Sequence, residues 1–416
     1  MTPFDLLALI LVAAAAVGCG NHLYVRLPSV LGLLLGSLAI TMAVLVINVV
    51  TGGTLLPWVH GVLAEVDLSR LFLSGLLGLL LFAATFQVSI DELRENKWVI
   101  LILTTVSVIL STVLFGFGLY GLCQLVEYPL PLAWCVVIGA VLAPTDAVVV
   151  DDLLRRVHIP RALRGAISGE SLLNDGAGVV LFVISLQLAG GSTGLIGHGR
   201  VALAMLYEGA GGAVLGLAAA LLARRVVQRV DHAGLALTVS LALVLVSYRV
   251  AAALDLSGPI AVVVAGMAFG RKAPHDGPAR DVANFWLLLH EVLNAVVFLL
   301  IGLQAAEIPY AQLAWIPVLG AIPLAVATRL LSILPLALLG GELAAQFRRV
   351  TVLTWAGMRG GVSIAMVLAT PETQWRGELL AICLAVVLFT VVAQGLTLPW
   401  LLRRLYGTPA QPAAGQ

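Results

Sequence analysis

The stretch AISGESLLNDGAGVVLFVISLQL, residues 166–188, is long enough to cross a bilayer, yet its first half carries Glu170, Ser171, Asn174 and Asp175. A helix needs about 20 predominantly apolar residues to span the hydrocarbon core. Charged and polar groups at that depth are expensive, and they mark a pathway, an ion site or a buried partner. Helical spacing sorts these four. Glu170 and Asn174 are four residues apart, as are Ser171 and Asp175, so each pair shares a face. One span earlier, Pro144, Thr145 and Asp146 set a second carboxylate beside a proline. The reading is an all-α membrane protein with a polar site inside the bilayer.

The bulk composition agrees. Of 416 residues, 61% are hydrophobic and 11% charged, with a mean hydropathy of +1.06. Soluble domains carry about 25% charged residues. Lys plus Arg number 23 against 22 Asp plus Glu, a balance that gives no hint of nucleic acid. Cys19, Cys123, Cys135 and Cys383 are scattered among apolar neighbours and read as packing residues. The opening 1–20 segment lacks a basic leader and is expected to stay as a first helix. The Pro/Ala-rich tail, 407–416, is expected to be disordered.

About thirteen segments reach spanning length, near 2–20, 28–49, 69–89, 98–122, 131–153, 165–189, 201–223, 233–250, 256–270, 284–305, 312–338, 350–369 and 378–402. The connecting loops test that count. Seventeen Lys and Arg residues fall on one side and four on the other, namely Arg70, Arg200, Arg249 and Arg376. Positive charge is retained in the cytoplasm, so the C-terminus is expected inside and the N-terminus outside. An odd count fits one extra helix followed by two six-helix halves. Inverted repeats of that kind place a site where broken helices meet at the midplane. No repeat is visible in the sequence, but Pro144 and the group Gly357, Gly360 and Gly361 supply breaks in equivalent spans, the fifth and the twelfth.

The residue types then suggest chemistry. A dehydrated Na⁺ or Li⁺ takes hard oxygen donors, and Asp175, Ser171, Thr145 and Asp146 offer them. Pro144 frees a backbone carbonyl and restricts the residue before it. Irregular backbone at membrane depth is tolerated only beside protein or water. Burial favours a protonated carboxyl, whereas a bound cation favours its ionised form. A carboxylate at such a place therefore holds a proton or a metal ion in competition, which is exchange in its simplest form. With one titrating carboxylate the exchange is one for one and electroneutral. Asp175 is the chosen carboxylate, with Asp146 expected to be oriented by the Asn174 amide.

Two arginines, Arg329 and Arg359, fall inside spans and need internal partners or a route to an interface. Glu170 is the obvious mate for one of them, and Arg359 is a candidate to offset partial charges where the twelfth span breaks. Glu291 and Asn294 are expected near the same network. Asp151 and Asp152 suit either a cytoplasmic funnel or a solvated helix end. His158 and His275 are candidates for tuning a pH response.

These residues resemble the NhaP-type and eukaryotic NHE-type sodium/proton exchangers of the monovalent cation:proton antiporter superfamily. The likeness runs from Arg26 to Gly395. It rests on Gly169 to Gly176, Ala143 to Asp146, Ser257 to Gly266, Phe285-Trp286 through Asn294, and Gly357 to Gly360. It implies a thirteen-helix homodimer with NhaA-like inverted repeats, in which a core (about 98–189 and 312–402) moves against a dimerisation scaffold. By motif, Asp175 takes the cation- and proton-binding aspartate, Asn174 its preceding asparagine, and Asp146 with Thr145 the unwound fifth helix. Ser171 takes the ion-coordinating serine, Glu170 and Arg329 the buried ion pair, and Arg359 the arginine of the discontinuous twelfth helix. Asn at 174 corresponds to the electroneutral branch.

There are departures from the pattern. Ala147 stands where many relatives have proline, and Ala83 where many carry an acidic residue, with Gln87 one turn later. The expectation is an electroneutral Na⁺(Li⁺)/H⁺ antiporter of the bacterial inner membrane, a transporter and not an enzyme. Its partners are the cation, the proton, the lipid bilayer and a second copy of the chain, with no nucleic acid and no cofactor. Two rivals remain at this point. A K⁺/H⁺ or broader cation antiporter would use the same oxygens in a looser cavity. A membrane sensor or scaffold with a vestigial polar core would move no protons.

Overall fold

The computed structural model describes residues 3–50, 76–86, 100, 102–146, 150, 159–190, 197–230, 232–270, 278–305, 308, 310, 313–337 and 343–406. Backbone polar groups in hydrocarbon must be satisfied within the segment, and among the described residues every regular element is a helix. In chain order these are α1 (Pro3–Gly20), α2 (Ser29–Val50), α3 (Leu77–Phe86), α4 (Val108–Leu125), α5 (Leu132–Val141), α6 (Arg161–Ala189), α7 (Gly197–Val227), α8 (Ala233–Ala253), α9 (Gly258–Gly270) and α10 (Pro278–Gln304). Then come α11 (Trp315–Ala337), α12 (Leu343–Trp355), α13 (Gly361–Leu368), α14 (Arg376–Phe389) and α15 (Gly395–Tyr406). Short π-helical turns extend α1, lead into α4 and join α14 to α15.

Among the described residues, nine helices are long and apolar enough to cross a membrane, with α14 and α15 taken together as one. Three shorter apolar helices, α3, α5 and α9, accompany them. Large apolar side chains such as Phe117, Leu222 and Leu319 are more than half exposed. In water such a surface would aggregate; in lipid it is the expected one.

Helices in lipid gain little from the hydrophobic effect and associate through close approach and polar contacts. Thr41 on α2 donates to the Gly302 carbonyl of α10 at 2.8 Å. Trp286 Nε1 on α10 donates to Ser240 Oγ on α8 at 3.0 Å. Ser107 and Ser332 pair at 3.0 Å where the turn before α4 meets α11. The closest neighbours fall into two sets. In one, α1–α3 and α7–α10 touch one another; in the other, α4–α6 and α11–α15 do so. Elements α6 and α13 make the links across, to α7, α9 and α10.

Two breaks interrupt the second of these sets. Helix α5 stops at Val141 because Pro144 has no N–H to give the Ala140 carbonyl, and its ring disfavours a helical residue 143. Residues 142–146 run on as turn and extended chain. The second break separates α12 from α13 at Ala356–Gly360, where three glycines in five residues (Gly357, Gly360 and Gly361) lower helix propensity. Gly360 is extended, with φ −139° and ψ −152°.

Several sequence expectations lie outside the described residues: Gln87, Ala147, Asp151, Asp152, His158, His275 and the 407–416 tail. Cys19 is exposed, contrary to the packing role expected of it, while Cys123, Cys135 and Cys383 are buried.

Candidate functional site where two broken helices cross

The two interrupted segments meet. The Asp146 backbone N–H donates to the Met358 carbonyl at 2.8 Å, joining one break to the other. Arg359 Nη1 donates to the Ala143 carbonyl and, at 2.7 Å, to the Pro144 carbonyl. These are oxygens that the break after α5 leaves without helical partners. Arg359 thus neutralises the negative end of α5, across the site from its own break, where the sequence pattern had placed its effect. Its backbone N–H is held in turn by Thr390 Oγ1 at 3.1 Å. Nothing in the sequence pattern singled out Met358 or Thr390, because one contributes a backbone oxygen and the other is a lone threonine in an apolar run.

The opposite half of the exchange involves Asp146. A Cβ on Gly360 would collide with its carboxylate, so that carboxylate lies against the residue that caps the N-terminus of α13. Helix N-termini favour negative charge. Each break is thereby offset by a charge carried on the other: a cation at the carbonyl end of α5, an anion at the amide end of α13. Glycine is required at 360 for this approach, and likewise at 178, where a Cβ would strike the Pro144 ring. Gly178 lets α6 lie directly on the unwound segment.

Helix α6 delivers the remaining groups. Ser171 Oγ donates to the Thr145 carbonyl, another oxygen freed by the break. The Asn174 amide nitrogen donates to Thr145 Oγ1 at 2.8 Å. This corrects the expectation that Asn174 would orient Asp146; the amide fixes the threonine hydroxyl next to it instead. Asp175 is close enough to Asp146 for the two carboxylates to act on each other electrostatically. Both are only partly covered, whereas Asn174, Ser171, Thr145 and Glu170 are buried.

Glu170 pairs with Arg329 on α11 at 2.5 Å. Arg329 Nη2 also reaches the Leu353 carbonyl near the end of α12, at 3.5 Å. A Cβ on Gly357 would sit 2.6 Å from Arg329 Nε, so this guanidinium lies under the second break. An ionised side chain at mid-bilayer costs about 2.5–3.5 kcal/mol on insertion scales. Both arginines have internal partners, so neither needs to reach an interface. A narrow crevice lined by Thr145, Asp146, Glu170, Ser171, Arg329 and Ala356 runs between the pair and the break.

The structure leaves some sequence candidates apart. Glu291 is exposed, and Asn294 is buried with its amide nitrogen unpartnered; no hydrogen bond joins either to the cluster among the described residues. Ala83 is fully buried, and its methyl side chain carries no oxygen.

Comparison with known proteins matches this arrangement to one family. Residues 26–404 match the family described as "Sodium/hydrogen exchanger, transmembrane". The chain is 31% identical over 427 residues to the Na(+)/H(+) antiporter NhaP of Pseudomonas aeruginosa, covering 99% of each. It is 30% identical to the Na(+)/H(+) antiporter NhaH of Halobacillus dabanensis, covering 88% of this chain and 91% of that one. Among solved structures, the sodium proton antiporter MjNhaP1 of Methanocaldococcus jannaschii superposes with a TM-score of 0.78 at 20% identity, covering 97% of this chain and 98% of that one. A chain whose polar α6 meets two broken helices, and whose sequence matches end to end in this way, belongs to the sodium/hydrogen exchanger family.

Proposed function

We propose that the protein is an electroneutral Na⁺(Li⁺)/H⁺ antiporter that works by alternating access. One observation carries the reading: α6 brings Ser171 and Asn174, with Asp175 beside them, onto the unwound Thr145–Asp146 segment where two broken helices cross. Asp175, Asp146, Thr145 and Ser171 supply the oxygens for a dehydrated cation, with water completing the shell. Thr145 presents its hydroxyl because the Asn174 amide engages it.

The chemistry follows from charge. Two carboxylates sharing one site repel, and either a cation or a proton relieves that repulsion. The two therefore compete for one place. Because residue 174 is a neutral amide, a single carboxylate titrates in each cycle, and one H⁺ replaces one Na⁺ with no net charge moved. The Glu170–Arg329 pair and Arg359 keep fixed charge beside the site without entering the exchange.

The wider architecture belongs to the same proposal. The chain crosses the membrane thirteen times as two inverted six-helix repeats after a first helix, with the N-terminus outside and the C-terminus in the cytoplasm of a bacterial inner membrane. The set α4–α6 with α11–α15 is the moving core, and the set α1–α3 with α7–α10 is the scaffold through which two copies dimerise. The separation of close neighbours into these sets supports it.

The test is reconstitution into proteoliposomes with Na⁺, Li⁺ and K⁺ presented in turn, pH recorded inside and voltage clamped by an ionophore. Na⁺ and Li⁺ should each drive proton movement that ignores the voltage, and Asp175→Ala should abolish it while the protein remains folded. Ordinary exchange by Asp175→Ala would reject the site. A rate or endpoint that follows voltage would reject electroneutrality.

A further inference from the structure

A second cavity lies farther along α6. The narrow crevice lies toward the N-terminal half of α6, at Ile167, Glu170 and Ser171. A larger cavity of about 260 Å³ begins one turn past Asp175, at Val179 and Val183, and is closed by α7, α8 and the start of α9. Its polar lining comes from Glu208, Tyr248 and Ser257.

Glu208 is a carboxylate at the edge of an apolar span, Tyr207–Val227, and the exchange chemistry at Asp175 does not use it. Its backbone carbonyl accepts from Ser257 N–H at 3.1 Å, which fixes α7 against the first turn of α9. The Tyr248 ring lies on that turn too, 3.1 Å from where a Cβ on Gly258 would stand. Glu208 therefore lines a cavity whose wall these contacts hold in place.

The Ile260 side chain, on the first turn of α9, reaches both α6 and α7. Ile260 Cγ1 lies 3.9 Å from a Cβ placed on Gly176, the residue after Asp175. Its Cδ1 lies 3.5 Å from a Cβ placed on Gly209, the residue after Glu208. The isoleucine thus packs against α6 at the residue after Asp175 and against α7 at the residue after Glu208.

We propose that this cavity is a vestibule for monovalent cations on the face opposite the Glu170 crevice, that Glu208 is its binding carboxylate, and that Ile260 is the apolar plug between Glu208 and Asp175. The proposal rests on the exchange reading and extends it. A negative charge in a low-dielectric recess concentrates cations ahead of the binding step. The isoleucine keeps the two aspartates from being continuous with water on both faces at once. With the N-terminus outside, α6 and α8 end and α9 begins on the outer side, so the vestibule opens outward.

The test compares right-side-out with everted membrane vesicles, so that each face is titrated with Na⁺ separately. Glu208→Gln should raise the ratio of outer to cytoplasmic KM for Na⁺ by about tenfold, and Glu208→Asp should restore most of it. A ratio unchanged within twofold, or equal increases on both faces, overturns the vestibule. A second readout does not need transport. In a Cys19→Ser background, Val183→Cys should react with a membrane-impermeant cationic thiol reagent from the outer face only, and millimolar Na⁺ should slow that reaction in the Glu208 protein but not in Glu208→Gln. Labelling from the cytoplasmic face, or from neither, also overturns it. Were the unaltered protein to exchange nothing, the antiport reading would fail, and the labelling would still decide whether the cavity binds cations.

Discussion

Two groups of charge gather around α6, one at Glu170 and one at Asp175, and they are treated in opposite ways. Glu170, Arg329 and Arg359 are only 2–3% exposed, and each is engaged by an opposite charge or by backbone carbonyls. Asp175 and Asp146 stay partly open to their surroundings. A sealed, compensated charge cannot exchange what it holds without unfolding its surroundings. A partly open carboxylate such as Asp175 can trade a proton for a small cation. Under the proposed exchange, the first group is the frame and the second the working site.

The sharpest way to break this distinction is to remove one member of the frame. Glu170→Ala leaves a buried guanidinium unpaired, which costs about 3–5 kcal/mol. Thermal unfolding in detergent should show a large loss of stability, with exchange lost because folded protein is lost. Unchanged melting with lost exchange would move Glu170 into the working site.

Gly360→Ala comes next. The added methyl meets the Asp146 carboxylate and presses the two breaks apart, with a strain of about 1–3 kcal/mol. Because Asp146 must shift, Na⁺-driven exchange should fall further than stability does. Equal, small effects on both would show that the crossing is looser than its geometry implies.

Asn174→Ala removes the donor to Thr145 Oγ1 and should destabilise by about 1–2 kcal/mol. The threonine hydroxyl then loses its orientation, so the apparent KM for Na⁺ should rise more than the maximal rate falls. A pure loss of rate would mean that Asn174 acts elsewhere than on the ligand oxygens.

The mildest test lies outside the membrane-spanning segments. Tyr128 Oη donates to Glu378 at 2.5 Å, and burial together with the nearby Glu378 carboxylate pushes the phenol's pKa up. The donor therefore stays protonated across the physiological range. Tyr128→Phe should cost about 1 kcal/mol and leave the pH profile of exchange in place. A displaced profile would extend the working region to this turn.

Much of the arrangement was legible in the sequence. Composition and run length require apolar helices in lipid, because unsatisfied backbone cannot stand in hydrocarbon. Spacing put Ser171 with Asp175 on one helical face, and Pro144 with Gly357 and Gly360 announced both breaks. The resemblance supplied the pairing of Glu170 with Arg329, which the ion pair in the structure reproduces. Glu208 drew no notice, since a single acid near the end of a long apolar run reads as a solvated helix end until a cavity is seen around it.

The chain alone thus determined what must be helical, where helicity must fail, and which charges lie too deep to be idle, since those depend on local propensity and on the cost of leaving water. Tertiary structure decided who meets whom. Arg359 serves the carbonyls of α5 across the site from its own break, and Asn174 holds Thr145 where Asp146 was expected. Partners of this kind are separated by 29 to 216 positions and are chosen by how two breaks cross in space, a relation that no periodicity along one helix encodes.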